Sequence, residues 1–71
     1  MSDEIRAEMV ANVWKITTEV GAAVSEGDTL VVLEARKLEI PVVAGSGGTV
    51  SRIVVHEGDA VREGDLIAVI G

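Results

Sequence analysis

Shifted by 37 residues, the sequence lies on top of itself, and this internal repeat limits the folds open to it more than any other feature. Val13 meets Val50, Lys15 meets Arg52, Ile16 meets Ile53 and Gly21 meets Gly58. Ala23-Val24 then falls on Ala60-Val61, and Glu26-Gly27-Asp28 falls on Glu63-Gly64-Asp65. Leu30, Val32 and Leu33 fall on Ile67, Val69 and Ile70, and the match reaches back weakly to Ile5 on Val42 and Ala7 on Ala44. A shared turn motif alone would not hold one register across so many apolar and turn positions. The chain reads as two copies of one unit packed about a pseudo-twofold axis.

That unit is made of β-strands. Thirteen Val, six Ile and four Leu stand against one Trp and no Phe or Tyr, and such a β-branched excess favours pleated sheet over helix. No stretch keeps a helical period over three turns. Val13–Thr17 and Val50–Val55 are expected strands, as are Thr29–Ala35, Leu38–Ala44 and Leu66–Ile70. Pro41 lacks an N–H, so its strand is expected at a sheet edge or at a bulge. The Glu-Gly-Asp triplets are turns, with Gly taking φ > 0 and Asp bonding back to nearby amides. Seven or eight short strands in 71 residues predict one all-β domain over residues 1–71, a small sandwich or flattened barrel.

Charge and composition exclude several roles. A net charge of −6 argues against a phosphate-backbone partner, and a single aromatic leaves no stacking platform for single-stranded nucleic acid. No apolar run approaches the roughly 20 residues of a bilayer span, and the N-terminus has no signal-peptide pattern, which together predict a cytoplasmic protein with no membrane partner. There is no cysteine, and His56 is the only histidine, so His56 reads as a surface residue and no metal site is expected. Gly45-Ser46-Gly47-Gly48 lacks the Gly-Lys-Ser/Thr of a phosphate loop and reads as a plain connection. Trp14 reads as a packing residue on its strand.

One segment breaks local rules. Glu34-Ala35-Arg36-Lys37-Leu38-Glu39 joins two strands, and centring the turn between Arg36 and Lys37 pairs Ala35 with Leu38 and Glu34 with Glu39. A two-residue hairpin turn wants Asn-Gly or Gly-Gly, because both central residues take φ > 0. Arg and Lys there cost up to about 1 kcal/mol each relative to glycine. Like charges directly opposite on paired strands are also unfavourable. Local rules broken together point either to function or to an exposed tip that simply keeps the chain soluble with charge. Only two lysines exist, and Lys15 has a repeat partner in Arg52 whereas Lys37 has none; the 37-residue shift lays Glu34 on Gly71, the chain end. The pseudo-twofold would then set Lys37 at the pole opposite the termini. A flexible primary amine on a stiff two-strand support is suited to acylation.

The hairpin EARKLEIPV resembles the attachment hairpin of the biotinyl/lipoyl domain family, whose biotinyl members read close to Glu-Ala-Met-Lys-Met. The flanking segments EVGAAVSEGDTLVVLEA and GGTVSRIVVHEGDAVREGDLIAVI are similar to the family too, so the likeness runs from about Ile5 to Ile70. It implies a barrel-sandwich of two four-stranded antiparallel sheets. It also implies biotin joined by an amide to Lys37, with Glu34, Ala35, Arg36, Leu38 and Glu39 read by biotin protein ligase and other partners. Arg36 and Leu38 stand where biotinyl members place methionine; the lipoyl pattern Asp-Lys-Ala is not matched. The function implied is a non-catalytic biotin carboxyl carrier serving biotin carboxylase and carboxyltransferase components. The alternatives are a lipoyl carrier and an unmodified β-module that serves only in assembly.

Overall fold

The computed structural model describes residues 2–71. Eight strands run in chain order: β1 (Asp3–Arg6), β2 (Ala11–Ile16), β3 (Ala23–Val24), β4 (Thr29–Ala35), β5 (Leu38–Val43), β6 (Gly48–Ile53), β7 (Ala60–Val61) and β8 (Leu66–Ile70). They form two four-stranded antiparallel sheets, β1-β8-β6-β3 and β5-β4-β2-β7, as the family resemblance implies. Pro41 lies on edge strand β5, where a missing N–H leaves no ladder bond unmade. The expected strand boundaries shift slightly: β2 starts earlier, at Ala11, and β6 takes Gly48 from the predicted loop. The two-residue strands β3 and β7 are too short to carry a period of their own.

The two copies do not sit side by side. Adding 37 to each residue number turns β1, β2, β3 and β4 into β5, β6, β7 and β8, and so turns one sheet order into the other. Each sheet therefore takes two strands from each copy, and neither copy can close a sheet alone. The connecting turns repeat the exchange. The Ala7 amide donates to the Asp65 carbonyl at 2.8 Å and Gly64 donates to the Ala7 carbonyl at 2.8 Å. Their equivalents are Ala44 to Asp28 and Gly27 to Ala44, also 2.8 Å each. The backbone groups of the buried residues Ala7 and Ala44 are thus paired across the copies, which spares the cost of leaving them unsatisfied.

Even the irregularities recur. The β2–β4 register slips at Trp14 and the β6–β8 register at Ser51, 37 residues on. The β4–β5 register slips at Leu30 and the β1–β8 register at Ile67, again 37 apart. Bulges bend a strand and increase its twist, and paired bulges curl both sheets around one core. Leu30, Val31 and Leu33 from β4 fill that core with Ile67, Ala68 and Ile70 from β8, joined by Val13 and Val50. Each Leu, Ile or Val side chain among them contributes roughly 1.5–3 kcal/mol when fully buried.

Candidate functional site

The β4–β5 hairpin rises from the best-buried part of the molecule. Leu33 and Val31 anchor β4 in the core, and Ile40 and Val42 of β5 pack against it. Beyond them the ladder continues through Glu34↔Glu39 and Ala35↔Leu38 to a two-residue turn. Arg36 has φ 52° and Lys37 φ 65°, the only non-glycine residues among those described with left-handed backbone. Both central residues are left-handed, as the twist of the flanking strands demands. The pairing and the strain are those expected from EARKLE.

Strand alternation sorts the six hairpin residues onto three surfaces. Glu34 and Glu39 are exposed on the outer face of the sheet, in one row with Asn12. Ala35 turns inward against the core, and its partner Leu38 extends past the core's end, 65% exposed. Arg36 and Lys37 occupy the tip and are exposed. The six residues therefore share one hairpin but do not form one contact surface. The one Arg or Lys ion pair among the described residues is Arg6–Glu4, so neither tip cation is held by a glutamate at ion-pair distance. Nor does any side-chain hydrogen bond among those residues engage Arg36 or Lys37.

The tip is convex. A groove of about 320 Å³ does open between edge strands β1 and β5, but its lining stops at Leu33 and Ile40 and does not include the turn. A convex tip with a free amine can offer a group to another molecule's cleft; it cannot enclose a small substrate. An amine with no internal partner also gives up no contact on acylation. The arrangement fits a covalently attached acyl group.

The surface turns are of another kind. Gly21, Gly27, Gly58 and Gly64 carry the remaining positive φ values. Asp28, Asp59 and Asp65 each accept a bond at 2.8–2.9 Å from the amide three residues earlier, from Ser25, His56 and Arg62. These carboxylates are occupied in turn-making. Trp14 differs from its expected packing role: as the extra residue of the β2 bulge it is 50% exposed and absent from the core cluster. The repeat held a signal of this, since Trp14 falls on Ser51, a residue with no apolar surface to bury.

A family profile described as "Biotin-requiring enzyme" matches residues 3–70. A protein of Mycobacterium leprae described as a biotinylated protein TB7.3 homolog is 49% identical over 70 residues, 99% of either chain. The crystal structure of Kluyveromyces lactis urea carboxylase superimposes with a TM-score of 0.95 at 37% identity, over 100% of this chain and 6% of that one. The solution structure of the lipoyl domain of the Azotobacter vinelandii 2-oxoglutarate dehydrogenase complex gives 0.75 at 25% identity, over 94% and 95%. The profile match spans both copies of the repeat and the hairpin between them, and the chain belongs to the biotin/lipoyl attachment family.

Proposed function

We propose that this protein is a biotin carboxyl carrier and that Lys37 is its attachment residue. The observation that carries the reading is the turn itself, in which strained, non-glycine backbone presents an unpartnered lysine at a convex tip. In the attachment step a biotin protein ligase presents biotinyl-adenylate, and neutral Lys37 Nζ attacks its acyl carbon. The C–N bond forms, the C–O bond to AMP breaks, and one proton leaves the nitrogen. When bound, biotin supplies the ureido nitrogen that carries carboxylate from a biotin carboxylase to a carboxyltransferase. The hairpin contributes position: a tethered group meets each partner site at an effective concentration set by the arm. Central strand β4 and edge strand β5, packed on the core through Val31, Leu33, Ile40 and Val42, keep the base of that arm fixed, and a net charge of −6 suits encounter with basic surfaces.

Biotin is favoured over lipoate by two comparisons. A relative 49% identical is described as biotinylated, and the urea carboxylase gives the higher TM-score, 0.95 against 0.75 for the lipoyl domain. The deciding measurement is intact mass after co-expression with biotin ligase, in medium containing both biotin and lipoate. One biotinyl adduct per chain is expected. A lipoyl adduct, or no adduct, would sink the reading. Arg36 makes no hydrogen bond or ion pair that shapes the turn, so Arg36→Met is expected to alter only encounter with the ligase. Its initial biotinylation rate should lie within about threefold of the unchanged chain, the scale of a rim charge.

A further inference from the structure

The pseudo-twofold supplies an internal control for surface residues, because each outer sheet face has an equivalent on the other side. On the β5-β4-β2-β7 face, Val32 lies between Lys15, with Trp14 bulged beside it, and Pro41 on the opposite side. Val32 is half-buried yet absent from the core and from the residues packed against it, so its cover comes from these outer neighbours. The equivalent row on the other face is Ser51 and Arg52, Val69, and Glu4. There Val69 is only 9% exposed, Ser51 Oγ donates to its carbonyl at 3.1 Å, and Glu4 is tied to Arg6 at 2.8 Å. One face is sealed and polar; the other keeps an apolar strip with a half-exposed indole. The strip occurs on the face that continues into the lysine hairpin.

We infer that the Trp14–Val32–Pro41 strip is a resting site for the biotinyl group carried on Lys37 of the same chain, an inference that rests on the biotin reading above. Reach supports it. Pro41 is four residues from Lys37, roughly 13 Å along a strand. A biotinyl-lysine places about eleven bonds between Cα and the bicycle, roughly 14 Å when extended. The valeryl chain crosses the Asn12–Glu34–Glu39 row and the sulfur-containing ring lies on indole, valine and proline. Lys15, in the same row as Val32, supplies an ammonium donor for the ureido oxygen. The group is apolar along one side and polar at one end, as is the strip. Docking is intramolecular, so a weak contact suffices. It would shield the ring between visits and release it to a partner that binds it more tightly.

Trp14 makes the test direct. It is the sole aromatic residue, so all intrinsic emission reports on this strip. The full chain is biotinylated and its mass confirms one adduct per molecule. The emission of the modified chain is then expected to move to shorter wavelength. Its acrylamide quenching constant should fall roughly twofold, the change for a docked state filled about half the time. Free biotin at the same concentration should do neither. Trp14→Ser copies the residue that the equivalent bulge already accepts at position 51 and lies outside the core, so it should fold. Once biotinylated, this variant should be captured by avidin about twice as fast as the unchanged chain, because the arm no longer docks. Unchanged emission in a fully biotinylated chain overturns the proposal, as do equal capture rates. Emission that responds only when a partner protein is added also overturns it and makes the strip a protein-docking face. Failure to form any adduct strikes instead at the biotin reading, and with it this one.

Discussion

Six described residues hold left-handed backbone, and they divide into two groups. Gly21 and Gly58 are equivalent under the repeat, as are Gly27 and Gly64, with φ between 89° and 94°. Arg36 and Lys37 belong to neither pair and sit in the turn that joins the two copies. Where a turn has only to reverse the chain, this sequence uses glycine, twice over and in register. Where the turn carries a cation to the tip, it accepts left-handed Arg and Lys instead. Physical cost and structural need part company at one place in the molecule, and that is where function is expected to lie.

The sharpest test of this contrast is Lys37→Arg, which keeps the charge and the turn but removes the primary amine. Biotin incorporation should be lost entirely, by intact mass, with no measurable change in unfolding midpoint. An adduct that survives would move the attachment site elsewhere. Next in size are the glycine turns. A Cβ added at Gly27 or Gly64 would meet no atom within 4 Å, so Gly→Ala there exposes the backbone term alone. Each variant should lose about 1 kcal/mol in urea denaturation, and the two losses should agree within a few tenths. Unequal losses would break the claim that the turns are copies. Arg36→Asn works in the opposite direction: Asn tolerates left-handed backbone, and stability should rise by about 0.5 kcal/mol. The smallest effect belongs to Glu34→Gln, which removes the like-charge pair with Glu39. A gain of a few tenths of a kcal/mol is expected at low salt, shrinking as ionic strength rises.

Much of the architecture was legible because it is written twice. Val13 on Val50 and Leu33 on Ile70 announce buried positions, and each proves to be 2% exposed or less. The register of EARKLE was legible for another reason: a two-residue turn leaves one way to pair Ala35 with Leu38. Trp14 departs from the expected packing because alternation assumes one residue per pleat step. An extra residue in β2 sets Trp14 and Lys15 together opposite Val32, and a bulge leaves no local mark in composition. The strands β3 and β7 were invisible as strands for want of length; they exist because β6 and β2 offer them partners.

By itself, then, the sequence determined that the fold is all-β, that it has two equivalent halves, and that one strained turn bearing Lys37 stands outside the equivalence. These follow from side-chain type and spacing, which are local and additive along the chain. Only the tertiary structure decided that the halves interleave, so that β1 and β3 pair with β8 and β6 and not with their own copy. It alone decided that one outer face is sealed over Val69 while the other leaves Val32 beside an exposed indole. Strand pairing and surface cover depend on which segments meet after the chain turns back. A side chain acquires its neighbours only when distant backbone amides, such as those of Ala7 and Gly64, have found their acceptors.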